Sequence, residues 1–143
     1  TMAIGKWHLG AHEKYRPWNR GFDMFFGFLG GGHRYHPNEY IIANEDSAKN
    51  EAESYKTKLT RNGVPVGETM YITDAFSREA VNFIKRSSKQ PFFLYLAYNA
   101  PHAPLQATES YLKRYEHIND TKRRTYAAMV SAVDDGVGAI LTT

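Results

Sequence analysis

A lysine and a histidine stand two residues apart on a glycine-bracketed turn, Gly5-Lys6-Trp7-His8-Leu9-Gly10, and another histidine lies far downstream in Pro101-His102-Ala103-Pro104. A lysine carries a compact positive charge suited to an oxyanion. An imidazole gives or takes a proton near neutral pH. Together these types suit cleavage of an anionic ester, one group neutralising charge while another protonates the leaving oxygen. A Lys-x-His pair by itself is most often an exposed turn, and a histidine between prolines can be purely structural. The flanking glycines and the position of His102 just past an apolar run argue for chemistry instead.

The remaining histidines are weaker candidates. His8 and His12 are four apart and His33 and His36 three apart, a spacing reminiscent of zinc ligands. Gly10 argues against a helix joining the first pair, and no Glu follows His8 as a zinc protease helix requires, so no zinc site is expected. His33, with Tyr35 and His36, is read as a candidate for the pocket mouth, in contact with substrate, or else as surface loop. Asp134 and Asp135 beside Gly136 read as helix surface charge. Gly30-Gly31-Gly32 is not a dinucleotide fingerprint and reads as a flexible joint.

The elements that must position Lys6, His8 and His102 can be placed coarsely. Residues 1–4 read as the tail of a strand that feeds the Lys6 turn. Residues 21–29, rich in Phe and Gly, are expected to pack as a short irregular segment. Residues 55–60 and 64–66 flank Arg61-Asn62-Gly63, a hairpin signal, and Pro65 puts that strand at an edge. Thr73 is expected to cap a helix reaching Arg86, with Phe76, Ala80, Phe83 and Ile84 on one face. The continuous apolar run 92–98 reads as a strand buried on both faces. Thr108 is expected to cap a short helix and Asp120 a longer one, whose stripe is Tyr126, Met129, Val130, Val133, Val137, Ile140 and Leu141. Helix, buried strand, helix is an α/β pattern with mainly parallel strands and a small edge hairpin. In such sheets functional residues gather beyond the carboxyl ends of the strands, so Lys6, His8 and His102 are expected at one sheet edge.

Bulk properties narrow the partners. A chain of 143 residues suits one domain and can bury roughly 70% of its unfolded surface. Its net charge of +3, from 18 basic and 15 acidic residues, hints only weakly at an anionic partner, and no nucleic-acid-reading motif accompanies it. Without cysteine there are no disulfides, iron–sulfur clusters or cysteine-held zinc. No apolar stretch is long enough for a membrane span, so no membrane partner is expected. The chain starts without Met and runs out inside a helical pattern, which reads as an internal fragment, residues 1–143, of a larger catalytic domain.

The ordered motifs resemble one family. Gly5-Lys6-Trp7-His8-Leu9-Gly10 resembles the second signature of the sulfatases, within the alkaline-phosphatase-like superfamily. Arg20-Gly21-Phe22-Asp23, then Pro91-Phe92-Phe93-Leu94-Tyr95-Leu96-Ala97 and Pro101-His102-Ala103-Pro104-Leu105-Gln106, follow in the family's order. The resemblance is nearest to arylsulfatase B-type (N-acetylgalactosamine-4-sulfatase-like) enzymes. It implies a partial alkaline-phosphatase-like fold and hydrolysis of a sulfate monoester, on a sulfated sugar or aryl sulfate. It further implies that Lys6 contacts sulfate and the catalytic aldehyde hydrate, that His8 bonds the hydrate and helps expel sulfate, and that His102 binds sulfate and assists the departing alcohol. The implied formylglycine nucleophile, made from Cys or Ser in a Cys/Ser-x-Pro-x-Arg motif, and the calcium ligands fall outside this chain. The chain alone is therefore expected to be inactive, with the rest of the parent domain as its partner. The resemblance suggests a secreted, periplasmic or lysosomal setting. A phosphonate or phosphodiester hydrolase of the same superfamily and a non-catalytic anion-binding module are the alternative expectations.

Overall fold

The first strand opens on three consecutive apolar residues, Met2, Ala3 and Ile4, all buried because one face meets helices and the other a loop layer. A computed structural model describes residues 1–143. Strands β1 (Met2–Lys6), β2 (Met24–Phe28), β3 (Thr60–Arg61), β4 (Val64–Pro65) and β5 (Leu94–Ala97) form one mixed sheet in the order β4-β3-β2-β1-β5. β1 is parallel to both β2 and β5, whereas β3 and β4 form an antiparallel hairpin against β2. The helices are α1 (Glu51–Ser54), α2 (Ile72–Ser87), α3 (Glu109–Lys113) and α4 (Thr121–Leu141). Met2, Ile4, Phe26 and Phe28 bury against α2 and α4 through Ile72, Phe76, Phe83, Ala128 and Met129. Ala3, Phe25 and Leu29 face the other way, under Trp7, Trp18 and Phe22.

The hairpin forms where expected, with Asn62 and Gly63 both at positive φ (46° and 87°) and β4 at the edge. Asp120 caps α4 by accepting from the Arg123 N–H at 2.7 Å.

Several expectations are corrected. Residues 21–29 are not irregular: they contain β2. Gly27 interrupts the apolar run, which hides the strand, but any Cβ there would collide with the carbonyl of Gly5 in the neighbouring strand. Thr73 lies inside α2, which starts at Ile72 without a side-chain cap. Its first N–H is satisfied by tertiary contact instead, donating to the Tyr35 carbonyl at 3.0 Å. The run 92–98 is not buried on both faces. β5 is the outermost strand, and Phe92, Phe93 and Tyr95 are 45%, 57% and 42% exposed. On α4 the buried stripe is Ala128, Met129, Ser131, Ala132 and Gly136, while Tyr126, Val130, Val137 and Leu141 face outward. Small residues win because α4 lies close to α2: a Cβ on Gly136 would strike the Ser77 hydroxyl.

Candidate active site

The Lys6 turn is held by its neighbours. After β1 ends, the N–H groups of Trp7 and His8 donate to the carbonyls of Phe28 and Leu29 at 3.0 and 3.2 Å. The buried Trp7 ring meets Phe22 edge-on, and its Nε1 donates to the Tyr15 carbonyl at 2.9 Å. His8 is exposed and takes a left-handed backbone, φ 53°, which a residue with a Cβ adopts only when its surroundings impose it.

The second loop is fastened just as closely. Because Gly5 registers opposite Ala97 in parallel strands, the loops after β1 and β5 leave the sheet at the same edge. Lys6 and His8 are on one loop and His102 on the other. Buried Asn99 donates from Nδ2 to the His33 carbonyl at 2.9 Å, and the His102 N–H donates to the Asn99 carbonyl at 3.0 Å. The Tyr35 hydroxyl donates to the His102 carbonyl at 2.8 Å. Burial pushes the Tyr35 phenol well up, so it stays a donor. Gln106 adds a clamp, accepting from the Tyr35 N–H at 3.0 Å and donating to Glu39 at 2.7 Å. The His102 ring pairs its Nδ1 with the Ala103 carbonyl at 2.6 Å. A carbonyl only accepts, so Nδ1 holds the proton and Nε2 is left for a ligand.

Between the two loops runs the segment 30–36. The glycine run is not an open joint but a packed floor, pressed by His8 from the Lys6 turn and by Glu45, Ser54 and Tyr55. The His8 Nε2 lies 2.8 Å from where a Cβ on Gly31 would stand, and the Tyr55 ring covers Gly32 so closely that any side chain there would overlap it. Tyr55 in turn meets the His102 ring edge-on, 6.4 Å between centroids. His33, expected at the pocket mouth, is corrected: its ring is wholly buried, with Nδ1 facing the Arg34 carbonyl and Nε2 the Thr57 carbonyl, each at 2.8 Å, and the neutral ring donates to one of the two. Phe28 and Tyr40 pack on it. Loss of solvation pushes its pKa down to about 4 against the opposing pull of the two carbonyls. No ring nitrogen is left to meet a substrate.

Two clefts open along this floor. His8 lines one, with Gly30, Gly31, Glu45, Glu51 and Ser54. The other lies beside His102, bordered by Ala103, Pro104, Tyr55, Arg34, Lys56 and Glu51. Glu51 edges both. Lys6 is half-buried at the end of β1 and borders neither. Glu45 is a carboxyl that sequence reasoning missed. Burial, with Asp46 nearby, raises its pKa, and its Oε2 is buried without a hydrogen-bond partner. Tyr55, Asn99 and Gln106 were missed too, and Tyr35, read as part of the pocket mouth, is instead buried beneath the His102 loop. The triple glycine is a sequence signal for Tyr55, whose ring lies against Gly32, and for Glu45, which approaches Gly30. No three His, Asp or Glu side chains of the chain gather as a metal site.

The whole chain, residues 1–143, matches the family profile described as Sulfatase. The chain belongs to the sulfatase family. It is 38% identical over 119 residues to an arylsulfatase of Klebsiella aerogenes, spanning 81% of this chain and 24% of that protein. It is 32% identical to the N-acetylgalactosamine-6-sulfatase of Homo sapiens, over 99% of this chain and 26% of that one. Among solved structures, Ps i-CgsB in complex with k-i-k-neocarrahexaose superposes with a TM-score of 0.89 at 48% identity, covering 99% of this sulfatase chain and 33% of that chain. The PsFucS1 sulfatase from Pseudoalteromonas sp. shares the fold, with a TM-score of 0.64 at 17% identity. This sulfatase chain thus spans about a quarter to a third of the relatives it matches. No helix in it is long and apolar enough to cross a membrane.

Proposed function

We propose that the chain is an internal part of a sulfatase catalytic domain and supplies the cationic, proton-donating side of a centre that hydrolyses sulfate monoesters on a sulfated sugar. The observation that supports this most is the parallel pairing of β1 with β5, Gly5 opposite Ala97, which sends the Lys6–His8 turn and the His102 loop off one edge. Lys6 balances the charge on the sulfate oxygens. His102, its Nδ1–H held by a carbonyl, acts in its imidazolium form: the second proton, on Nε2, passes to the bridging oxygen as the alcohol departs and leaves the neutral ring behind. His8, exposed on its turn, hydrogen-bonds the sulfate from the β1 side. A formylglycine and calcium would supply the nucleophile and polarise the sulfate. This chain has neither the Cys/Ser-x-Pro-x-Arg motif nor a cluster of metal-binding side chains, so both would come from residues outside these 143 and no step here runs through them.

The test is turnover of a chromogenic aryl sulfate by the full-length protein. Lys6→Ala, His8→Ala and His102→Ala are each expected to lower kcat/KM by about 10²–10⁴-fold with unchanged melting. A full-length protein that releases no sulfate, or variants as fast as the parent, would overturn the reading. The 143-residue chain alone is expected to show no turnover that survives chromatography.

A further inference from the structure

The cleft beside His102 is not used by the chemistry above. We propose that it is a second, anion-selective subsite, which seats the sugar next to the one being cut together with that neighbour's own anionic group, a sulfate or a carboxylate. The identity of the sugar being cut rests on the sulfatase reading. The subsite rests on the cleft itself.

Its position comes first. The cleft starts where His102 ends, at Ala103 and Pro104, and Tyr55 links it to the His102 ring. A ligand whose reacting group lies at His102 therefore reaches the cleft with its next unit. Its surface is mixed: Tyr55, Ala52, Ala103 and Pro104 offer an apolar floor for the C–H face of a sugar, while Glu51 can accept from hydroxyls.

Charge supplies the selectivity. Arg34 and Lys56 both border the cleft. Their backbones are tied together, since the Arg34 N–H donates to the carbonyl of Tyr55, the residue before Lys56, at 2.8 Å. Lys56 has no ion-pair partner in the chain, and Arg34 has only Glu39, at 3.5 Å. Glu39 is itself shared with Gln106. Most of the Arg34 fork is thus open, beside a free ammonium. A fork plus a point charge suits an oxyanion. A neutral sugar would offer the two cations only hydroxyls, which disfavours it against an anionic one.

The experiment uses the full-length protein and three matched oligosaccharides with nothing to cleave at the reacting position. The neighbouring sugar carries a sulfate, a carboxylate or no charge, and binding is measured by calorimetry. At least one anionic form is expected to bind more tightly than the neutral one, and that form to weaken about tenfold in Lys56→Gln and in Arg34→Gln, while neutral binding stays put. Lys56 makes no ion pair, so its variant carries the test if Arg34→Gln is destabilised. Neutral sugar binding as tightly as both anionic forms, or Lys56→Gln leaving them unchanged, would overturn the proposal. An aryl sulfate has no neighbouring sugar, so failure to hydrolyse it would sink the sulfatase reading and leave this binding result standing.

Discussion

The hydroxyl of Tyr35 donates to the main-chain carbonyl of His102 at 2.8 Å, across 67 residues of sequence. Tyr35 is wholly buried and stacked on Tyr71, so it has no freedom to follow the loop if the loop moves. It is a positioning residue for His102. Tyr35→Phe keeps the stacking and removes only this bond. The expected cost is about 1–2 kcal/mol, because the carbonyl is left without its donor. The distinguishing readout is local: NMR shifts should change at His102 and Ala103 while those of β1 stay put. A variant with unaltered His102 signals would show that the bond does not hold the loop.

His33 makes the fold acid-sensitive. In the folded chain burial holds its pKa near 4, against 6.5 for a solvated histidine. Between those values the unfolded chain binds the extra proton, so stability falls as pH falls. The slope approaches ~1.4 kcal/mol per pH unit, about 3 kcal/mol across the window. Above pH 6.5 this group contributes no slope. Glu39, the nearby carboxylate, acts against the shift but is outweighed by burial. Urea midpoints measured from pH 7 to pH 4 should decline more steeply for the parent than for His33→Gln. Equal slopes would mean that His33 stays charged inside.

Legibility followed the range of the interactions. The hairpin and the Asp120 cap were readable because turn chemistry and capping act within a few residues. That the Lys6–His8 turn and the His102 loop leave the sheet at one edge was readable because parallel strands fix where their loops emerge. β2 was not, since the space Gly27 leaves is needed by Gly5, 22 positions earlier. The burial of His33 was not either: its partner Thr57 lies 24 residues away, and an isolated histidine carries no sign of it. For α4 the periodicity was visible but the face was misjudged. Bulk suggested burial for Tyr126 and Leu141, whereas closeness to α2 selected Ala132 and Gly136.

Two arginines provide a graded test of burial. Arg78 donates to Glu68 at 2.8 Å and to Glu79 at 3.0 Å, and those carboxylate side chains are only 4% and 9% exposed. Arg61 reaches Glu79 as well, so the network fastens the hairpin to α2. Arg114 makes a two-pronged pair with Asp135, but both partners are over 40% exposed. Removing Arg78 leaves buried charge uncompensated, an expected loss of about 3 kcal/mol. Removing Arg114 should cost much less, because water already screens an exposed pair. Chemical denaturation of Arg78→Ala and Arg114→Ala checks the ratio. Equal losses would show that burial does not set the value of these pairs.

The outer side of β5 is a row of unpaired backbone groups beside exposed aromatic rings. Phe22 stacks on Phe93 at 6.1 Å, and Tyr95 stands next to it, so the apolar surface continues from the strand edge onto the sheet face. Such an edge recruits another strand. In the full-length protein the rest of the catalytic domain is proposed to cover it. The 143-residue chain by itself is therefore expected to self-associate with rising concentration in sedimentation velocity. Tyr95→Lys puts a charge on the exposed face and should shift the equilibrium toward monomer without lowering secondary structure. A monomeric chain with a sharply cooperative melt would mean that the edge is quiet, and the exposed aromatics would then need another explanation.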